Sequence, residues 1–430
     1  MGFVQGDLQL RDNAGILQKS ANGGLTWGDV GSRSGLISGG SNWTSVLAAA
    51  AQANALGGGY TIELGRGTYR VTSLFDALAN GIALVGNGPG QTFLELDDAG
   101  GLAGANAIRV NQVLQFALKG MSITATTART AGAFLQIKGK NNITATPAQR
   151  TRQYTVEDVD AEDQFDGVSI VNGDTGDGAW GGFINRCEWL RFSAGGTYVD
   201  INSTAGGQHY ISNLKMYGSH SLSNAQRALA GIRYRGGADL EMVNVNQVYM
   251  RSGFLWDPPN GQAANVVVAT ACLWDNNTLA SILIQPGATG TAMMGEFMGG
   301  WGYTPAANTQ PTVQIDGGRH ISFIGGKYLG CYQAFRLSGG AGLRHILVQN
   351  ANCSGSIAGL YATLNASDFQ FLNNIVGIEG VTPTVGIQID AGCDRYAVIG
   401  NNVRECTTPI TNTPGHSAGR RIVTDMNVIL

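Results

Sequence analysis

The sequence predicts an all-β chain wound as a parallel β-helix, and three observations carry that prediction. The first is a recurring phrase of apolar residues at alternating positions closed by a polar turn: AFLQIKG (133–139), VSIVNG (168–173), AGIRYRGG (230–237), SILIQPG (281–287), TVQIDGG (312–318), AFRLSGG (334–340) and VGIQIDAG (385–392). A second phrase falls between the copies, as in FINRC (183–187), YISNL (210–214), LVQNA (347–351), FLNNI (371–375) and VIGNN (398–402). The second observation is spacing. Units start 22 to 34 residues apart, a range in which one repeat cannot bury its own apolar face and must stack on its neighbours. The third is that period-2 alternation indicates strand, while the turns are too short and too polar to hold crossover helices. A β-sandwich of many short strands is the alternative.

Composition agrees. Glycine supplies 64 of 430 residues without a strict period, and only 13% of residues are charged, as in a turn-rich β protein. A net charge of −3 leaves no basic footprint for nucleic acid, and no apolar run reaches the roughly 18 residues of a membrane span. Six cysteines (Cys187, Cys272, Cys331, Cys353, Cys393, Cys406) lie about one per unit without CxxC spacing, which fits buried thiols better than zinc or a disulfide framework. The N-terminus shows no basic segment followed by an apolar stretch, so no signal peptide and folding in a cytosol are expected.

In chain order, residues 1–35 are Gly-rich and weakly patterned, and are read as a docked anchor or linker. Residues 36–100 hold a capping helix and the opening strands. Ser41 and Asn42 suit helix caps before TSVLAAAAQANAL (44–56), which Gly57, Gly58 and Gly59 close. The helix is expected to plug the open end of the coil stack. YTIELGRGTYRV (60–71) and IALVGNGPGQTFLEL (82–96) each read as a strand with a Gly turn. Residues 101–430 supply the coils, with Ile137, Val171, Tyr234, Ile315, Leu337 and Ile389 expected on interior or near-interior ladders. Asn185, Asn213, Asn350, Asn373 and Asn401 suit turns that visit left-handed conformations. The chain closes on RRIVTDMNVIL (420–430), read as lacking a separate C-terminal domain.

The helix, the Gly run, the strand ending in GTYRV and the following LVGNGPGQT resemble the opening of pectin lyase-like β-helix proteins, in particular bacteriophage tailspikes. Gly65 and Arg66 stand where that pattern has Pro before the turn. The resemblance implies a right-handed β-helix, a side-by-side homotrimer, and a place on the virion tail after folding in the host cytoplasm. It also implies recognition, and often cleavage, of a bacterial surface polysaccharide such as capsule or O-antigen. Residues 1–35 would dock on a phage baseplate or tail protein. Neither nucleic-acid binding nor membrane insertion is expected.

Long coils place extra loops at 140–152, 173–181, 218–228 and 302–310, and loops on a rigid scaffold commonly hold binding sites. Five tryptophans fall in this stretch (Trp180, Trp189, Trp256, Trp274, Trp301), two of them in repeated LWD triplets with Asp257 and Asp275. A ring beside a carboxylate would offer a sugar a flat apolar face and a hydroxyl acceptor. The run EDVDAEDQFD (157–166), Asp174, Asp177 and Glu188 crowd carboxylates together, with Asp158 and Asp160 expected on one face and Glu157 and Val159 on the other. Glycoside hydrolysis needs two carboxyl groups about 5 to 9.5 Å apart. Asp174, Asp177 and Glu188 are the expected catalytic set for a glycoside hydrolase. A lyase would draw instead on Arg186, Arg191, His209, Tyr210 or Arg233. No cofactor or metal site is assigned; the acidic run lacks the twelve-residue calcium-loop spacing. Two other readings stay open: a spike or fibre that binds glycan without cutting it, and a structural tail adaptor.

Overall fold

A computed structural model describes residues 9–13, 16–20, 33–37, 43–140, 153–305, 309–330, 332–339, 342–377, 382–415, 420–424 and 427–429. The chain winds as a right-handed parallel β-helix of about 12 turns, each turn laying strand on three faces. The third face is a 13-stranded sheet running from Phe75–Ala77 to Thr408–Asn412. The first two faces are continuous in the early coils. There the strands Phe116–Ala125, Tyr154–Glu162, Trp180–Leu190 and Gly207–Tyr217 pass through both, bent between the faces at a left-handed residue: Gly120, Asp158, Arg186 and Asn213 respectively. Later coils keep that bend at Asn244, Ala271, Gly299, Gly325, Asn350, Asn373 and Gly400.

Asparagine thus does occupy the left-handed turn at Asn213, Asn350 and Asn373, but not at Asn185 or Asn401, where the bend falls on Arg186 and Gly400. Asn401 instead points inward and is fully buried. Its Nδ2 donates to the Phe371 carbonyl at 2.9 Å, and its Oδ1 accepts from the backbone and side chain of Asn374, both at 3.0 Å. Asn427 repeats the arrangement one coil later, its Oδ1 accepting from the Asn401 N–H at 3.0 Å. The buried amide ladder is stable because each member satisfies the backbone of the next coil.

The interior ladder of the third face runs in register through Val110, Ile137, Ile170, Ile201, Tyr234, Trp256, Ile284, Ile315, Leu337, Ala362 and Ile389. Every side chain in it is fully buried. Ile170, not Val171, is the member of the second coil. Val171 pairs with Lys138 and faces outward, since a one-residue slip reverses a strand residue's side. Cys187, Cys272, Cys353 and Cys393 are buried free thiols and Cys406 is half-buried, while Cys331 lies outside the described residues.

The capping helix is Trp43–Ala55, and its expected caps Ser41 and Asn42 lie outside the described residues. Trp43, Val46, Ala50 and Ala53 join the main core, so the helix covers apolar surface that the first coil would otherwise expose. The Asn54 amide fixes it by donating to the Asp76 carbonyl at 2.9 Å and accepting from the Leu78 N–H at 2.8 Å. Gly57, Gly58 and Gly59 end it with positive φ, and a Cβ on Gly58 would lie 1.8 Å from the Asn80 carbonyl oxygen. Gly58→Ala is therefore expected to cost about 3 kcal/mol, read by denaturant unfolding. Most of residues 1–35 lie outside the described set. Its described parts are an antiparallel pair, Gln9–Asn13 with Ile16–Ser20, and a strand Arg33–Ile37 that pairs in parallel with Tyr60–Leu64.

Candidate functional site

Alternation sorts the expected site residues before any chemistry does. In each LWD triplet the tryptophan takes the inward parity and its neighbours the outward one. Trp256 and Trp274 are fully buried, and so is Trp189, whose Nε1 donates to the Val159 carbonyl at 3.0 Å and whose ring meets Phe134 edge-on at 5.4 Å. These three rings are core and present no face to an external sugar, which corrects the expected platform. Trp180 and Trp301 remain half-buried at the surface. Asp257 lies on the third face, paired with Arg233, and Asp275 on the second.

The expected catalytic set is split between two places. Asp174 sits in the turn after Asp166–Val171, held by Lys138 Nζ at 2.5 Å and by the Gln112 amide at 3.2 Å. Asp177 accepts from the Thr175 hydroxyl at 2.8 Å in the same turn. Glu188 stands eight residues beyond Trp180, about 25 Å of bent strand away, on the second face. Loop 140 carries only its first residue within the described set, so 141–152 adds nothing here.

Glu188 does have a carboxylate neighbour. It is in register with Asp160 of the preceding coil, within the outward column Phe93, Ser122, Asp160, Glu188, Lys215, Asn246, Leu273, Trp301. Asp160 and Glu188 line a groove of about 190 Å³ with Phe93, Ser122, Thr124, Glu162 and Leu190. Neighbouring coils sit about 4.8 Å apart, which brings two facing carboxyl groups into the range glycoside hydrolysis uses. Four coil steps, about 19 Å, separate Glu188 from Trp301 on the same column.

The rest of the acidic run is spoken for. Glu157 binds Lys119 at 2.9 Å and Arg186 at 2.9 Å; Asp158 binds Arg186 at 2.8 Å; Glu162 and Asp163 both pair with Arg191. The left-handed bend at Asp158 also breaks the alternation expected of the run, so that Glu157, Asp158 and Asp160 all stay off the interior while Val159 is buried. Asp160 has no ion-pair partner among the described residues. Burial raises its pKa above the ordinary carboxylate value, and the charge of Glu188 adds to the effect. Glu188 is half-exposed and faces the Lys215 ammonium at 3.5 Å.

The residues a lyase would need are dispersed. Arg186 and Arg191 are committed to the acidic run, Arg233 is on the third face, and Tyr210 is 42% exposed on the first. His209 is buried inside the coil against the Tyr154 hydroxyl at 3.1 Å, and burial lowers its pKa to about 4.

The third face holds a separate charged group in which Asp200 pairs with Arg235 and Arg233 with Asp257. Beside it, Asp166 accepts from the Thr197 N–H at 2.8 Å, and burial pushes its pKa up to about 6. A carboxyl raised on folding stabilises the folded state fully below its ordinary 3.8 and loses that contribution as pH rises through about 6. Asp166→Asn is thus expected to gain melting temperature relative to the parent between about pH 4 and 7.

No protein-family model and no curated protein matches the chain in sequence. Solved structures match in fold. The A-module of mannuronan C-5 epimerase AlgE6 from Azotobacter vinelandii superposes with a TM-score of 0.60 at 14% identity, covering 91% of this chain and 96% of that one. Tailspike protein 3 of bacteriophage CBA120 gives 0.55 at 12% identity, over 89% of this chain and 58% of its own. The tailspike of the E. coli bacteriophage HK620, solved as a mutant in complex with a pentasaccharide, gives 0.52 at 11% identity, over 86% and 68%. At such identities the likeness establishes the right-handed β-helix that these tailspikes and epimerases share.

Proposed function

We propose that this chain is a tailspike-type protein of a phage virion that binds a bacterial surface polysaccharide along its second face and hydrolyses it with Asp160 and Glu188. The observation that carries the reading is the register of these two carboxylates on adjacent coils in one groove, with the pKa of one raised and the other half-exposed beside a lysine. Asp160, held toward its neutral form, is the general acid. Glu188 is the base or nucleophile. The outward column that runs from Phe93 past Trp301 lets a glycan several units long lie across the coils. In the same reading the protein works as a homotrimer and joins the tail through its N-terminal segment. The pentasaccharide bound by a tailspike of the same fold supports the substrate class.

The test is digestion of a panel of capsule and O-antigen preparations, following new reducing ends together with the ultraviolet absorbance of unsaturated uronate. Reducing ends without absorbance are expected. Both signals rising together would mean elimination and displace the carboxylate pair from its role. Demonstrable binding with neither signal would make the protein a receptor-binding spike without cleavage.

A further inference from the structure

A larger groove, about 590 Å³, lies on the first face of the last coils, away from the carboxylate pair. It crosses five coils, the strands Arg319–Ile324, Arg344–Gln349, Ser367–Leu372, Asp394–Ile399 and Arg421–Val423. Its floor is the outward column Ser322, Leu347, Gln370, Ala397 and Ile422, all uncharged side chains. Its rim is made by His320, His345, Asp368 and Arg395, which hold the same left-handed position on four successive coils with φ of 55°, 56°, 55° and 50°. The same position is left-handed on earlier coils at Gln208, Val266 and Met294, so the backbone there belongs to the coil and what distinguishes the last coils is the polar and charged character of the side chains it carries.

The charge of this groove opposes that of the whole chain. Its lining carries Arg395, Arg420, His320 and His345 against the single Asp368, in a protein of net charge −3, and Arg319, Arg344 and Arg421 flank it on the same strands. Arg395 meets Asp368 at 2.8 Å, and Arg420 and Arg421 share the single Asp394. Arg319 and Arg344, in register on adjacent coils and exposed, have no ion-pair partner among the described residues. The His320 and His345 rings stack at 4.6 Å and 8°, forming a small exposed aromatic platform at the rim.

We infer that this groove is a second glycan site, selective for an acidic polysaccharide with a carboxylate or phosphate on its repeating unit. Arg395 and Arg420 stand at the same register position on adjacent coils, a step of about 4.8 Å that is close to the rise of one sugar unit, so two successive anionic groups can meet two guanidinium groups. The imidazole stack and Leu347 receive the apolar faces of the rings, and Ser322 and Gln370 bond hydroxyls. A site of this kind holds the chain on its polymer while the second face works on another stretch, which raises avidity without new chemistry.

The test is binding of polygalacturonate, polymannuronate and polysialic acid, with dextran as the neutral control, at rising salt. The expected result is binding of at least one acidic polymer, weakened steeply by salt, with dextran unbound. The double variant Arg395→Glu/Arg420→Glu should lower that affinity at least tenfold, and Arg66→Glu, exposed in the first coils, should leave it unchanged. Ser322→Trp, which fills the floor without touching an ion pair, should lower affinity as well and guards against a folding defect in the charge variant. Equal binding of dextran, binding of none of the three acidic polymers, or parental affinity in both groove variants would overturn the inference. Binding is the readout, so the outcome does not depend on whether Asp160 and Glu188 cleave.

Discussion

Glu188→Gln is expected to lower depolymerisation by about 10³-fold while the protein still binds its polysaccharide, and Asp160→Asn to do the same. The two losses have different origins. Glutamine keeps the shape of Glu188 but can neither attack nor take a proton. Asparagine removes the ionisable proton that the proposed acid would give to the leaving oxygen; burial and the neighbouring carboxylate raise the pKa of Asp160. The pH profile separates them: activity of the parent should fall on the alkaline side as Asp160 loses that proton. Asp174→Asn is the control. Its carboxylate is occupied by Lys138 and Gln112 in a distant turn, so its replacement should leave turnover within about twofold. A loss in Asp174→Asn equal to that in Glu188→Gln would overturn the assignment.

Trp189→Ala is expected to cost about 4 kcal/mol of stability. The ring is fully buried, packs edge-on against Phe134 and in parallel with Phe192, and satisfies the Val159 carbonyl. Truncation leaves a cavity and an unpaired carbonyl together, so the denaturation midpoint should drop sharply. Trp301→Ala should behave oppositely. Its ring lies half-buried on the outward column of the second face, and its removal should weaken polysaccharide binding about tenfold with a smaller loss of stability. Equal stability losses in the two variants would remove Trp301 from the proposed binding surface.

Several features of the site were readable in the chain. The acidic run, Glu188 and Trp301 all stood out, and Glu188 follows Asp160 by 28 residues, one coil length. What hid the pair was register. A left-handed residue at Asp158, where no glycine announces it, resets the alternation in the middle of the run. The C-terminal groove was silent for a similar reason. His320, His345, Asp368 and Arg395 are about 25 residues apart from one to the next, and no short motif joins them.

By itself the sequence determined the β-helix. Repeated period-2 phrases at coil spacing can bury their apolar faces only by stacking, and Ile137, Tyr234, Ile315, Leu337 and Ile389 do stack in one interior ladder. It also placed the helix that closes the first coil. Tertiary structure alone decided which side of each strand faces water. Strand parity alternates every residue, so a single bend or slip moves a tryptophan from binding surface to core, as at Trp189, Trp256 and Trp274, or exchanges Ile170 for Val171. It decided which side chains share a column as well, because those contacts form between coils, and only the wound chain sets the register that joins Asp160 to Glu188.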